Sequence, residues 1–441
     1  MQNLHQIARE MIEAAIEAVN PYGLIARQMR LQGSELKVKT LRFNLADFEH
    51  IYVIGAGKAS APMALAVEDI LDQYITDGAV IVKYGHGIAT KKIKILEAGH
   101  PVPDENTLRA TGEILRLAQR AGKNDLVIVL LSGGGSALLE SLPKEISLSD
   151  LQKTNQALLA CGAAIEEINT IRKHISLIKG GQLAQAIFPA VGLTLVLSDV
   201  IGDPLESIAS GPTVADPSTF ARAWQIVEKY RLQKQLPASV LQRLQKGLKG
   251  ELKETPKPGE ALFNKMFNLI LGNNFLALQK AANAAQKHNF QPFILTDRVQ
   301  GEVREIAKLL AGIFATALQQ GHPTSSPACF ILGGEPTVTL KGKGKGGRNQ
   351  EMVLAVLKEL APNHERPFYF CSLGTDGTDG PTNAAGAWID QTSRRKAEKI
   401  GLKISDFLEQ NDSYHFFEKM DQLIITGPTG TNVMDLLLFL F

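Results

Sequence analysis

This sequence of 441 residues has few cysteines, no large excess of positive or negative charge and no long apolar run. The three cysteines, Cys161, Cys329 and Cys371, form no C-x-x-C pair, which argues against a disulfide framework and favours a reducing compartment. The nine histidines form no H-x-x-x-H or Cys/His cluster, so a dedicated zinc site is not expected. The net charge of +2 provides no bulk field that would attract nucleic acid or an anionic membrane.

Membrane and secretion signals are also missing. No apolar run approaches the roughly 18–20 residues that a membrane helix requires. Near the amino terminus, Glu10, Glu13 and Glu17 interrupt the apolar residues, so we do not expect a secretory signal. We therefore expect a cytoplasmic protein, either a monomer or a homodimer, with no nucleic-acid or membrane partner.

What the sequence does contain is a recurring unit in which an apolar strand runs into a glycine- or acid-rich turn. The unit is found at residues 50–60, 125–136 and 191–199. Helix-like segments follow the first two turns, which predicts an α/β fold with a parallel, doubly wound sheet, because parallel strands need crossover helices. The turns would then lie at the carboxyl ends of the strands, where open α/β sheets bind ligands.

The length predicts two domains rather than one. The polar stretch Lys229–Pro258 ends in Thr-Pro-Lys-Pro-Gly and is predicted to be a surface helix and linker. We therefore predict an N-terminal domain at residues 1–255 and a smaller C-terminal α/β domain at residues 262–441.

The first glycine turn, Gly55-Ala-Gly57-Lys58-Ala-Ser60, partly matches a dinucleotide fingerprint. Ser60 replaces the third glycine, and the next strand ends at Lys83, where a nicotinamide ribose would require an acid. What remains is a lysine at a strand-to-helix turn, which suits a transferring phosphoryl group or a carboxylate. The alternative is a tight turn with a solvated lysine.

A second cluster of candidates predicts phosphate binding. The turn after the strand at 126–131 is a backbone nest that opens a helix, and it consists of Ser132, Gly133, Gly134, Gly135 and Ser136. Leu138 stands where a nucleophile elbow has its last glycine, which argues against a serine hydrolase. Arg172 and Lys173 belong to a further basic cluster that continues at Lys179-Gly180-Gly181. The alternative, cations at a helix C-terminus with a glycine cap, explains the second half of the cluster better than it explains Arg172 and Lys173.

A lysine- and glycine-rich loop precedes a predicted helix in the C-terminal half. A strand ends at Gly334-Glu335, the β-branched run 337–339 predicts a second strand, and the loop closes at Arg348-Asn349. Bare amides, lysines and an arginine beside a helix start favour anion binding. The alternative is a solvated, flexible turn.

Aspartates recur in the turns that follow apolar strands, at Asp199, Asp203, Asp376 and Asp379. Aspartate is an ordinary turn residue, so each has a plain structural explanation. Together with Glu335, however, several carboxylates near several anion cradles are what magnesium-assisted phosphoryl transfer requires.

Taken in order, these motifs resemble those of the type II glycerate kinases, the glycerate 2-kinase family with a C-terminal MOFRL-type domain. The resemblance covers VIGAGKAS, GHPVPDE, LLSGGGSALL, RKHISLIKGGQLA, LSDVIGDPLESIASGPT, GGEPTVTLKGKGKGGRNQE, GTDGTDGPT and TGPTGTNV. It implies a Rossmann-like N-terminal domain, a smaller α/β domain and an active site in the cleft between them. The implied reaction is transfer of the ATP γ-phosphate to the 2-hydroxyl of D-glycerate, with ATP and Mg²⁺ bound.

The resemblance supports Lys58, Arg348 and Asp376 as the catalytic residues. We expect Arg348 to bind the glycerate carboxylate, Lys58 to neutralise the transferring phosphoryl group and Asp376 to accept the hydroxyl proton. Asp199 or Glu335 would help to hold magnesium. The remaining candidates for binding substrate or phosphate are Gly55, Gly57, Ser132, Gly133, Gly134, Gly135, Ser136, Arg172, Lys173, Glu335 and Asn349.

The sequence departs from the family pattern at Gln182, where arginine is common, at Asn383, where aspartate is more frequent, and at Met434, where asparagine is usual. Two alternatives to the kinase remain open at this point. One is an NAD(P)H-dependent hydroxypyruvate reductase, against which Ser60 and Lys83 argue. The other is a non-catalytic sensor that binds sugar phosphates.

Overall fold

The computed structural model of the chain describes residues 4–360 and 366–441. Its contacts divide the chain into two units, here called the central unit (Pro21–Leu271) and the terminal unit (the described part of Met1–Asn20 together with Gly272–Phe441). Among the described residues, no helix has the length and hydropathy needed to span a membrane.

The helices of the described residues are α1 (Leu4–Ala18), α2 (Pro21–Gln28), α3 (Ser60–Leu71), α4 (Glu105–Arg120), α5 (Gly135–Leu138), α6 (Leu148–Ala160), α7 (Ile165–Ile175), α8 (Gln182–Ile187), α9 (Phe220–Lys229), α10 (Ala238–Leu248), α11 (Asn274–Lys287), α12 (Val303–Gln320), α13 (Arg348–Glu359), α14 (Ser393–Lys399), α15 (Ile404–Glu409) and α16 (Ser413–Met420).

The strands of the described residues are β1 (Met29–Gln32), β2 (Glu35–Val38), β3 (Leu41–Asn44), β4 (Ile51–Ala56), β5 (Asp77–Lys83), β6 (Ile93–Ala98), β7 (Leu126–Leu131), β8 (Val191–Leu197), β9 (Met266–Gly272), β10 (Gln291–Val299), β11 (Ala328–Gly334), β12 (Tyr369–Gly374), β13 (Gly386–Asp390), β14 (Leu423–Ile424) and β15 (Asp435–Leu440).

The main sheet of the central unit has the order β6-β5-β4-β7-β8-β9. The neighbours from β6 to β8 are all parallel, and every residue of β4 and β7 is buried. Parallel strands covered on both faces are continuous apolar runs, which is why these segments could be predicted. This order reverses between β4 and β7, as in a Rossmann-like doubly wound sheet, and the predicted fold class is therefore confirmed.

The two glycine turns lie side by side at that reversal, because β4 and β7 are neighbours. A Cβ on Gly55 would come within 2.2 Å of the Leu130 carbonyl oxygen. A Cβ on Gly57, whose φ is +144°, would come within 2.2 Å of Ser132 Oγ. Glycine is therefore required at both positions by the close approach of the two strand ends.

The terminal unit contains a mixed sheet with the order β10-β11-β15-β12-β13-β14. The last strand, β15, lies at its centre and runs antiparallel to both β11 and β12. The first residue of β15 consequently stands at the same edge as the ends of its neighbours, and Asp435 is in register with Gly334 and Gly374. The sheet packs on α12, where the Phe314 and Phe439 rings are stacked with centroids 3.8 Å apart.

This division differs from the predicted domain limits of 1–255 and 262–441 at two places. Helix α1 belongs to the terminal unit, where it packs on α11, and Glu10 accepts a 2.7 Å hydrogen bond from His288. Strand β9 extends the central sheet beside β8, which moves the division to Leu271. The stretch predicted to be a linker contributes Val240 and Leu244 to a core of the central unit.

Candidate active site

The turns after β4 and β7 are joined by backbone hydrogen bonds. The Lys58 amide donates to the Gly133 carbonyl over 2.8 Å, and the Ala59 amide donates to Ser132 Oγ over 3.0 Å. The Gly57 amide donates to the Ile81 carbonyl over 3.0 Å. The predicted phosphate ligands Gly57 and Ser132 therefore build the turn, and their amide and hydroxyl groups serve the protein itself.

Two amides of the second turn remain open toward a ligand. The N–H groups of Gly133 and Gly134 make no hydrogen bond to any residue in the described part of the chain. The Gly135 amide, in contrast, donates to the Ser132 carbonyl over 3.1 Å. Consecutive open amides with left-handed backbone, here Gly134 at φ +80°, form an anion-binding concavity.

Cationic and imidazole side chains surround these amides. A Cβ on Gly134 would lie 2.8 Å from His100 Nε2 and 3.3 Å from Lys58 Cγ, so both side chains pack against the turn. Burial, together with the charges of Lys58, Lys83 and His86, lowers the pKa of His100 to about 4. His100 is therefore neutral at physiological pH, and Lys58 and Lys83 are the lysines whose charge it senses.

A carboxylate lies on the other side of the same turn. A Cβ on Gly133 would come within 2.1 Å of Asp199 Oδ2, so glycine is needed for this approach. The structure thus brings Lys58, Gly133, Gly134 and Asp199 together. A carboxylate oxygen of Asp199 suits a hard divalent cation, and the open amides beside it suit the phosphate that accompanies such a cation.

A chain of hydroxyl groups continues from the turn into the protein. Ser136 Oγ lies 2.8 Å from Ser210 Oγ, and Ser210 Oγ donates to Asn169 Oδ1 over 3.1 Å. Ala209 and Ser210 adopt left-handed φ values of +50° and +61°, which is costly for residues with side chains. Sequence reasoning missed His100, Ser210 and Asn169, although the quoted motifs GHPVPDE and IASGPT contain the first two.

The basic pair on α7 has a different environment from that predicted. Lys173 Nζ lies 3.3 Å from Asp216 Oδ1, with both side chains almost wholly buried. Arg172 Nε donates to Asn155 Oδ1 over 2.8 Å. These contacts give Lys173 a structural role, and phosphate binding by either residue remains a prediction.

In the terminal unit, Arg348 is the first residue of α13 and its guanidinium is held by two carboxylates. Nε and Nη2 donate to the two oxygens of Asp435 over 2.6 and 2.9 Å, and Nη1 donates to Glu335 Oε1 over 2.8 Å. Burial lowers the pKa of Arg348, but the hydrogen bonds to Asp435 and the charges of Asp435 and Glu335 outweigh it, so the pKa is raised overall. Arg348 is therefore a permanent cation in a fixed orientation.

Asp379 and Asn349 support the start of the same helix. The buried carboxylate of Asp379 accepts hydrogen bonds from the backbone amides of Asn349 and Gln350 over 3.1 and 2.9 Å. The Asn349 side chain accepts a 2.6 Å hydrogen bond from Ser372 and is 1% exposed. Asp379 thus satisfies amides that a helix start leaves without partners, as a capping residue does.

Asp376 is half-buried in the turn after β12. Its Oδ1 accepts hydrogen bonds from the amide and the hydroxyl of Thr378, each over 3.0 Å. Oδ2 makes no hydrogen bond to another residue of the described chain. This second oxygen is therefore the one able to accept a proton from a ligand.

The backbone of the lysine- and glycine-rich loop is hydrogen-bonded to the residues that precede α16. Asn411 Oδ1 accepts hydrogen bonds from the amides of Lys341 and Gly342, and Asp412 Oδ1 accepts one from Lys345. A Cβ on Gly344 would come within 2.4 Å of Asp412 Cβ, so close packing explains a glycine of this loop.

The prediction of a strand at residues 337–339 was wrong. Thr337 forms only an isolated bridge with Glu302, and Thr339 donates hydrogen bonds to the Glu302 carboxylate. The β-branched run packs beside the start of α12 instead of adding a strand to the sheet.

Comparison with known proteins assigns the chain to a family. A family model described as "Domain of unknown function (DUF4147)" matches residues 7–245, and the MOFRL family model matches residues 328–435. A "Glycerate 2-kinase" of Pyrococcus horikoshii is 41% identical, with 98% of this chain and 96% of that protein covered. The chain belongs to the type II glycerate kinase family.

Two further relatives of this family differ in how they are named. A "Putative hydroxypyruvate reductase" of Agrobacterium vitis is 43% identical, with 87% of this chain and 85% of that protein covered. The crystal structure of a glycerate kinase from Thermotoga maritima has a TM-score of 0.88 and 38% identity, with 100% of each chain covered.

The three residues at which the sequence was expected to depart from the family pattern lie in defined environments. Gln182 Nε2 donates to the carbonyls of Ser176 and Lys179 over 2.9 and 2.8 Å. Asn383 Oδ1 accepts a 2.8 Å hydrogen bond from the Tyr414 hydroxyl. Met434 adopts φ +70°, a conformation that asparagine tolerates better.

Proposed function

We propose that this protein is a glycerate 2-kinase, which transfers the γ-phosphate of ATP to the 2-hydroxyl of D-glycerate and releases ADP. The observation that carries the proposal is the open amide pair of Gly133 and Gly134, flanked by Lys58 and Asp199. Amides and a lysine match phosphate oxygens, and a carboxylate beside them matches the metal that accompanies a nucleotide. Membership of the glycerate kinase family supports the same reaction.

In the central unit, we assign nucleotide phosphate binding to the turn after β7. The open amides would donate to phosphate oxygens, while His100, which is neutral, would contribute no charge of its own. Lys58 would neutralise charge on the transferring phosphoryl group, where a positioned cation lowers the barrier. Asp199 would hold Mg²⁺, which when bound supplies charge neutralisation on the phosphates.

In the terminal unit, we assign the acceptor to Arg348 and Asp376. A guanidinium binds a carboxylate through parallel hydrogen bonds, so Arg348 would hold the carboxylate of D-glycerate. Asp376 Oδ2 would accept the proton of the 2-hydroxyl as that oxygen attacks phosphorus. Glu335 accepts a hydrogen bond from Arg348 Nη1, so it is the group that a substrate carboxylate would replace there.

The alternative activity, reduction of hydroxypyruvate, has less support from the residues. Ser60, in place of the fingerprint's last glycine, lies with its Oγ 3.2 Å from Ser132 Oγ and is wholly buried. Lys83 ends β5, where a nicotinamide ribose would require an acid. Neither residue offers the contacts that a dinucleotide uses.

Steady-state assays of the purified chain test the proposal. We expect ADP to form when ATP, Mg²⁺ and D-glycerate are all present, and to fall to background when any one is omitted. L-glycerate is the matched control, since it offers the same groups with the hydroxyl in the wrong direction. NADH oxidation with hydroxypyruvate and without ADP formation would support the reductase instead, and ligand binding without turnover of either kind would support a sensor.

A further inference from the structure

We propose that Asp435 is a positioning residue for the reaction, and that it orients the Arg348 guanidinium toward the carboxylate of the acceptor. This inference rests on the proposed function, in which Arg348 binds that carboxylate. Asp435 was not among the residues that the sequence motifs indicated, because it lies 87 residues from Arg348 in the chain.

The fold explains why Asp435 reaches this site. As the first residue of β15, it lies between the ends of β11 and β12, in register with Gly334 and Gly374. The loops that carry Glu335 and Asp376 leave the sheet from those same ends. Strand β15 therefore places the Asp435 carboxylate at the sheet edge from which the loops of the predicted acceptor site begin.

The contacts show that Asp435 is a fixed partner and Glu335 an exchangeable one. The Asp435 side chain is 0% exposed and accepts hydrogen bonds from Nε and Nη2 of the guanidinium. The Glu335 side chain is 47% exposed and meets only Nη1. A carboxylate ligand can replace the exposed partner without disturbing the buried one, so the Nη1 end is where the acceptor would bind.

A buried carboxylate is costly unless it is paired and hydrogen-bonded, so its retention at this position calls for a reason. A side chain as long as arginine otherwise samples many rotamers, and parallel hydrogen bonds to both Asp435 oxygens select one of them. Holding a ligand-binding group in its productive orientation reduces the ordering cost at the moment of binding. The expected consequence lies in the binding of the acceptor and not of the nucleotide.

The test compares Asp435→Asn, Arg348→Met and the double variant with the native chain. The substitution D435N keeps the volume of the side chain but replaces one acceptor oxygen by a donor. We expect D435N to raise the KM for D-glycerate by at least about 10-fold, with the KM for ATP changed less than about 2-fold. In the Arg348→Met background, D435N should change kcat/KM by less than about 2-fold, because Asp435 acts only through Arg348.

Glu351→Gln is the matched control, since it breaks another buried carboxylate–arginine contact of α13, the 2.8 Å pair with Arg304. We expect E351Q to leave both KM values unchanged within about 2-fold, whatever stability it loses. If D435N does not fold, Asp435→Glu replaces it, because glutamate keeps the negative charge but moves its oxygens relative to Nε and Nη2 of Arg348. D435E is expected to raise the KM for D-glycerate as D435N does.

The outcomes separate the inference from the proposed function. Native KM values for D-glycerate in D435N or in D435E, or equal losses from D435N with and without Arg348, would overturn the positioning role. A native kcat/KM in Arg348→Met would instead remove Arg348 from the acceptor site, and the proposed mechanism would fail with it. Equal changes in both KM values for D435N would reduce Asp435 to a structural residue.

Discussion

Lys58→Met is expected to lower kcat by about 10³-fold while the protein stays folded. In the proposed mechanism Lys58 is the protein cation nearest the transferring phosphoryl group. Positioned charges of this kind act in a water-poor site, so their removal costs far more than the loss of a surface charge. Methionine retains the apolar stem that packs against the turn at Gly134.

The fold should tolerate this change because the turn does not depend on the ammonium group. The hydrogen bond to Gly133 is made by the backbone of Lys58, and Nζ forms no ion pair with another described residue. Initial rates at saturating substrates and a thermal melt give the two quantities. Lys83→Met is the control, since it removes a nearby cation that also lowers the pKa of His100. A kcat within 10-fold of the native value in the Lys58 variant would contradict the assigned role.

Arg348→Met is expected to lower kcat/KM for D-glycerate by about 10³-fold and also to destabilise the protein by about 3 kcal/mol. The first effect follows because the carboxylate of the acceptor loses the guanidinium that binds it. The second follows because the wholly buried Asp435 loses its cation. Steady-state kinetics and urea unfolding measure the two effects separately, and the KM for ATP serves as an internal control.

The loss of stability in Arg348→Met should depend on pH in a direction set by Asp435. Burial raises the pKa of Asp435 to about 6, against the lowering effect of Arg348 and with a further increase from the charge of Asp379. A carboxyl group whose pKa is higher in the folded state than in the unfolded state favours folding in acid, and this contribution is lost as the pH rises through the folded pKa. Removing Arg348 raises that pKa further.

We therefore expect the stability gap between Arg348→Met and the native chain to be smaller at about pH 5.5 than at about pH 7.5. The double variant is compared with Asp435→Asn alone, because neither chain has a carboxyl group at this position, and the gap between these two should be the same at both pH values. Urea midpoints at the two pH values test this. A gap in the single variant that does not change with pH would mean that Asp435 is not the group left without a partner.

The parts of the fold that sequence reasoning reached are those with a strong local signal. Strands β4 and β7 are uninterrupted apolar runs followed by glycine turns, and their burial on both faces produces that pattern. The position of strand β15 in the sheet was harder to predict, because nothing in its own residues shows that it inserts between β11 and β12. Helix α1 has ordinary amphipathic spacing, which does not reveal which unit it packs on.

The sequence indicates candidate site residues most directly where a single motif contains both the turn and the functional group. Lys58, Gly133 and Gly134 come from such motifs, and Asp199 joins them because strand β8 ends beside β7. Lys173 carries the same kind of charge, but its partner Asp216 is 43 residues away and pairing could not be inferred from spacing. The same limit applies to Asp435, whose role depends on strand register.

The most direct test of the account is the position of the new phosphate ester. The native chain would be incubated with ATP, Mg²⁺ and D-glycerate together with enolase, in the absence of any phosphoglycerate mutase. Because enolase accepts the 2-phosphate and not the 3-phosphate, we predict that phosphoenolpyruvate forms in step with ADP. ADP release without phosphoenolpyruvate, restored only by adding the mutase, would show transfer to the 3-hydroxyl and contradict the proposed function.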